Sequence, residues 1–411
     1  MPRLQLHLNF KREIQRIQRF ALGVDFLWAK RPKNQPLSPQ NESLFRSRGN
    51  TLLVIAMMGV LVWFLTGWLT PSITTDFVAR SQTPPSPTGS RIAVANRGSN
   101  TVTLIDVEAE EKLQIELEPG SEPMYAQNPF FSNEIWIGDR ANNRVLVYDA
   151  LRLRRIAEIP TGKGVFHMWN NNTLGQMWVV CDIDKTLTVI SLRTKQVLAT
   201  VPIPRDLAIE FKPHDVTVTA TSAIVSLIGA PGNPDGWLVN FSGKSFKEVS
   251  RRKVSGDPHL MYWGFSRSSL YVVSQVGDKV LRLNPRTLAI TGELDIPGAH
   301  GIWANEAETR LFVGNIESAD GRNSIYTIDI PTFSIMPGSP ANAALPFPHN
   351  FMVSIDSSKL FITHSNQGSE FTSVYDLDAN GIPVASRLIE TGPVPFGIML
   401  IRDPVCLSNL Q

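Results

Sequence analysis

The chain has 411 residues, 43% of them hydrophobic and 18% charged, with a formal net charge of +2. This is the balance of a globular protein with a substantial core. Two cysteines, Cys181 and Cys406, exclude a disulfide framework and Cys-rich zinc modules; they either form one bridge or stand as a small buried hydrophobe and a tail thiol.

Residues 1–50 carry ten Lys or Arg against three Asp or Glu, so this segment is about +7 and the remainder about −5. No nucleic-acid motif accompanies the basic run, and none is expected as a partner. Within it, "LNFKREIQRIQRFALGVDFLW" (8–28) places Phe10, Ile14, Ile17 and Ala21 on one stripe of a helix with Arg12, Arg16 and Arg19 elsewhere. That pattern suits a helix on an anionic membrane surface, an ordinary solvated helix or a docking arm.

The next twenty residues, "TLLVIAMMGVLVWFLTGWLT" (51–70), hold no charge and match the hydrocarbon thickness of a bilayer as a helix. Trp63 and Trp68 sit toward one end, where indoles favour the interface. A cleaved signal peptide fits less well, because fifty residues precede the segment and no small-residue cleavage site follows. The expectation is a single-pass anchor with the basic N-terminus in the cytoplasm and the rest of the chain in a periplasm or lumen. Residues 71–90, rich in Pro, Ser and Thr, read as an extended linker.

From residue 91 the sequence repeats. "RIAVANRGSNTVTLIDV" is echoed by "EIWIGDRANNRVLVYDA" from Glu134, "MWVVCDIDKTLTVIS" from Met177, and further copies from Ala223, Leu270, Leu311 and Leu360. Each is a short apolar strand, a polar turn, a second strand that often ends in Asp, a more polar third strand, and a Gly- or Pro-containing loop into a fourth. Seven such copies predict an all-β, seven-bladed β-propeller over 91–403, with 404–411 as a tail. The first copy opens on its second strand, and "VPFGIMLIRD" (394–403) is available to complete it and remove the exposed sheet edges.

Segments such as "LFVGN", "VANRGSNTVTLIDV" and "GDPHLMYWGFSRSSLYVV" resemble YVTN-type β-propeller repeats. The resemblance covers roughly 91–403 and implies the fold; its members range over surface-layer, binding and enzymatic roles, so it does not assign an activity.

The histidines follow the repeat. Aligned at the start of the innermost strand, the copies present Phe396, Met124, His167, His214, His259, His300 and His349, and His364 closes a second strand at the same mouth. The expectation is a nitrogen-rich transition-metal site formed by His167, His214, His259, His300, His349 and His364, with the Met124 thioether favouring copper over iron or zinc. Asp215 and Asp257 are expected to orient the rings. The competing readings are that the histidines are inherited repeat features that satisfy backbone groups, and that Met124 fills space. Trp169, Trp263 and Trp303 read as packing between blades.

No Ser/His/Asp order, P-loop or Rossmann fingerprint stands in a strand–helix context, so whether the protein is an enzyme stays open. The leading expectation is a membrane-anchored, exocytoplasmic propeller that binds a metal as a metallo-enzyme or metal-handling protein. The alternative is a non-catalytic scaffold that binds a protein partner, with structural histidines. A lactonase-like hydrolase would need a carboxylate constellation that the histidine register does not supply.

Overall fold

The computed structural model describes residues 91–402 except 108–110, 130–131, 231, 265–267 and 317–322. The chain divides into two units, Met1–Gln82 and Thr83–Gln411, and all described residues belong to the second. The basic segment 1–50, the expected span 51–70, the linker 71–90 and the tail 404–411 therefore lie outside the described residues. Among the described residues, no helix is long and apolar enough to cross a membrane.

Seven antiparallel sheets form the blades of a β-propeller. Blades 2, 3, 4, 5 and 7 each use four strands in sequence order, starting from innermost strands Pro123–Gln127, Val165–Asn171, Phe211–Val218, Pro258–Trp263 and Pro348–Val353. Blade 6 starts at Ala299–Ala304, and its outer edge is broken into Ser334–Ile335 and Ala341–Asn342, both paired to Ser324–Asp329. Blade 1 is a composite. The C-terminal strand Pro395–Ile401 pairs with Arg91–Asn96, Arg91 opposite Ile401, and so joins the two ends of the ring.

Burial explains the strand grammar. A middle strand has a neighbouring blade on each face, so it reads as a continuous apolar run; Leu270–Ser274 is buried at all five residues. An outer strand is exposed except for one apolar residue, as at Ile115, Ile159, Val201 and Val254. Among the described residues the core is correspondingly divided into seven apolar clusters that lie between adjacent blades: Trp136 and Val145 of blade 2, for example, share one with Val165 and Val179 of blade 3. Glycine allows the tightest approaches at the hub. A Cβ on Gly301 would lie 2.3 Å from the His349 carbonyl oxygen, and one on Gly397 would lie 2.5 Å from that of Met124.

Candidate functional site: the histidine mouth

At one mouth of the central channel, each innermost strand begins opposite the end of its second strand. The residues at this register are Pro395, Pro123, Val165, Pro258, Ala299 and Pro348, each the first of its strand, and Pro213, which blade 4 reaches after two extra paired residues, Phe211 and Lys212. In every blade the pairing then slips by one residue, a β-bulge of the kind that re-aims a side chain. Several of these strands are also entered through a left-handed residue, including Gly164, Asp257, Gly298, Phe347 and Val394.

The residues that follow the starting positions are Phe396, Met124, Phe166, His214, His259, His300 and His349. This corrects the sequence register in blade 3. Phe166, not His167, is the equivalent of the other histidines, and His167 stands one residue further on, level with Tyr125 and Asp215. Blade 3 opens with Val165 where five of the other six blades have proline, so the sequence there offers the histidine as its only marker and the alignment falls one residue late.

The rings meet. Centroids are 4.0 Å apart for His214 and His259, 4.3 Å for His259 and His300, 4.6 Å for His300 and His349, and 4.2 Å for His349 and Phe396. Phe166 lies 4.9 Å from His214 and 6.1 Å from Phe396, with Tyr125 packed edge-on against both phenylalanines. His167 rests on Tyr125 at 4.0 Å and on His214 at 5.2 Å. Four of the expected histidines thus share one aromatic layer across the channel with Phe396 and Phe166, and His167 rests against it.

Hydrogen bonds fix the orientation of several rings. His167 Nδ1 is 3.1 Å from an Asp215 carboxylate oxygen, His259 Nδ1 is 3.2 Å from Asp257, and His300 Nδ1 is 2.8 Å from the Gln275 side-chain oxygen. The oxygens of Asp257 and Gln275 accept hydrogen bonds from Nδ1 of His259 and His300, while Asp215 lies at ion-pair distance from His167; in a neutral ring, a proton on Nδ1 leaves Nε2 with its lone pair. His349 Nδ1 is 2.6 Å from the Asn350 amide nitrogen, which also donates to the Phe396 carbonyl at 3.0 Å. The Nε2 atoms of His214 and His300 are buried with no hydrogen-bond partner. Asp257 therefore orients its neighbour as expected, whereas Asp215 serves His167 of the preceding blade.

Burial pushes His214, His300 and His349 well below the usual histidine range, and the neighbouring imidazoles oppose charging further. Burial also holds the Tyr125 hydroxyl in its neutral form. At the rim, the Arg97 guanidinium sits 5.2 Å from the Phe396 ring centre and is ion-paired to Glu122 at 2.8 Å. Arg140 sits 5.4 Å from Phe166 and is paired to Asp182 at 2.8 Å.

His364 is placed differently. It is fully buried, its Nδ1 donates to the Pro346 carbonyl at 3.0 Å, and its Nε2 lies 2.7 Å from the Ser373 hydroxyl. It occupies the same register position as Asn96 and Cys181, which reach Thr103 and Thr188 on their own third strands. This position ties the second strand to the third, and both of its nitrogens are engaged there. Met124 is also fully buried, in the apolar cluster shared by blades 2 and 3. Cys181 is a buried free thiol whose ionisation burial disfavours.

Among the described residues, no three His, Cys, Asp or Glu side chains already stand in an arrangement that holds a metal ion. Gln275, Asn350, Arg97, Arg140 and Phe166 were not singled out from the sequence. Gln275, Arg97 and Arg140 each follow the end of a second strand directly, so the repeat register that located the histidines also carried the signal for them.

No protein-family model matches the chain. No curated protein matches it either. Solved structures do. A periplasmic gluconolactonase from Pseudomonas aeruginosa, PpgL, is 12% identical with a TM-score of 0.62, covering 76% of this chain and 99% of that one. Hydrazine synthase from Kuenenia stuttgartiensis is 13% identical with a TM-score of 0.54, covering 78% and 99%. The dihydro-heme d1 dehydrogenase NirN is 13% identical with a TM-score of 0.55, covering 82% and 80%. At these identities the likeness is one of fold, and the chain is similar to these proteins as a β-propeller.

Proposed function

We propose that the protein is a ligand-handling propeller whose histidine mouth takes up a transition-metal ion through His167, His214, His259, His300 and His349. One observation carries this reading: five imidazoles are gathered at one mouth, three have Nδ1 within reach of an acceptor oxygen, and two Nε2 atoms are buried without partners. Imidazole held through Nδ1 is the form in which histidine ligates metals, and an unpaired buried nitrogen is costly unless something occupies it. With Met124 in the apolar core, the donors are imidazoles alone, a set that serves copper, zinc, iron and nickel. Copper keeps first place for its affinity among divalent ions, no longer for a thioether. Because the rings stack on one another, loading requires several Nε2 edges to turn toward a common point.

The stacking also favours a second reading, in which the ring is a structural plug and the propeller a scaffold for a protein partner. Elemental analysis of the full-length protein, equilibrated with copper or zinc and then desalted, separates the two. Stoichiometric metal retained by the native chain and lost on His214→Ala plus His300→Ala supports the metal site. A metal-free native chain supports the plug.

The charge pattern of residues 1–70 supports a single-pass anchor, which would place the propeller in a periplasm or lumen. The YVTN-type resemblance of the repeats is part of the same proposal and fits a binding or enzymatic role equally. An enzymatic role is also compatible with the fold, since a gluconolactonase and a heme d1 enzyme are among the similar structures.

A further inference from the structure

The innermost strands end at the opposite mouth of the channel, and a pocket of about 190 Å³ opens there. Trp169, Trp263, Trp303, Tyr262, Met352 and Met399 line it. Trp169 and Trp303 approach to 5.5 Å between ring centres, and Tyr262 meets Trp303 edge-on at 5.3 Å. These tryptophans were expected to pack between blades. They do pack against the clusters between blades, but where Trp136 and Trp178 are fully buried, Trp169, Trp263 and Trp303 are half-buried and keep a face at the channel mouth.

Aromatic and thioether surface left open to water is unfavourable by about 25 cal/mol per Å² of apolar area, and concave patches of this composition are characteristic of ligand sites. The volume exceeds the roughly 150 Å³ cavity known to take up benzene. Among the described residues, the charged ones lining the pocket are Glu306 and Arg402, and they pair with each other. A charged ligand would therefore lose its hydration without gaining a counter-charge. Of the polar groups in the lining, Asn128 and Asn171 already spend their amides on Glu134, Thr219 and Leu174, which leaves the aromatic faces as the larger part of the surface a ligand would meet.

We propose that this mouth binds a small, neutral, flat aromatic molecule of one or two rings, stacked on the tryptophan faces. The site is separate from the histidine mouth and does not depend on the metal reading.

The test is calorimetric titration of the full-length protein with p-cresol, with benzoate and benzylammonium as charged molecules of similar size. Tryptophan emission gives a second readout. The expected result is saturable p-cresol binding, with both charged molecules at least about tenfold weaker. Binding should be lost in Trp303→Ala and in Met399→Arg, each checked for native unfolding behaviour, and kept in His300→Ala. Three results overturn the proposal: no saturable p-cresol binding by the native chain, binding that survives Met399→Arg, or tighter binding of benzylammonium or benzoate.

Discussion

His300 Nδ1 lies 2.8 Å from the side-chain oxygen of Gln275, which reaches it from just past the second strand of the preceding blade. This contact fixes the proton on Nδ1 and leaves Nε2 as a bare, buried acceptor. Gln275→Leu removes the restraint while keeping the volume similar. Metal affinity measured by competitive titration should fall about 10- to 100-fold, with the unfolding temperature little changed. An affinity unaltered by this substitution would mean that the tautomer of His300 does not matter.

Acid should destabilise the propeller. His214, His300 and His349 are held well below the ordinary value, and His364 is lowered to about 4, in each case chiefly by burial. Below about pH 6.5 the unfolded chain takes up protons that the folded chain refuses, so stability is full above that pH and is lost as pH falls through the folded values. His364 alone accounts for roughly 3 kcal/mol of this loss by pH 4. Thermal unfolding followed from pH 7.5 to 4.5 should show the midpoint dropping steadily, with a shallower drop in His364→Gln. A flat profile would contradict the neutral-ring description.

The corrected register separates Phe166 from His167. Phe166 closes the aromatic layer between His214 and Phe396, so Phe166→Ala opens a gap in it and should cost roughly 2–3 kcal/mol. His167→Ala loses its contacts with Asp215 and Tyr125 but leaves the layer closed, and should cost less. Urea denaturation of both variants checks the order. The reverse ranking would restore the sequence alignment of blade 3.

Closure of the ring rests on Pro395–Ile401 pairing with Arg91–Asn96. A chain ended after Thr391 leaves the backbone groups of Arg91–Asn96 without their partner strand, an open edge that invites aggregation. It should aggregate or unfold at a much lower temperature than the full chain, as light scattering during a thermal ramp would show. A soluble truncated chain of unchanged stability would mean that blade 1 does not need its composite strand.

The fold was legible because each blade repeats one pattern of apolar middle strands and a mostly polar outer strand, and that pattern follows directly from which faces are sandwiched. The gathering of histidines was legible for the same reason, since a residue at one place in a repeat lies at one radius of the ring. The bulge recurs at the same place in every blade; what blade 3 lacks is an opening proline to mark the start, hence the slip between Phe166 and His167. His364 shares its register position with Asn96 and Cys181, and only their common bond to the third strand reveals the role. Trp169, Trp263 and Trp303 do pack between blades as their repeat position suggests, but sequence does not show which end of the strand is left open, so their shared pocket was not legible.

The most direct test of the central claim is electron paramagnetic resonance of the full-length protein titrated with one equivalent of Cu(II). Nitrogen coupling from several imidazoles should appear in the native chain, collapse on His214→Ala plus His300→Ala, and persist in His364→Gln. A spectrum of aqueous copper in the native chain, or nitrogen coupling unchanged by the double substitution, would contradict it.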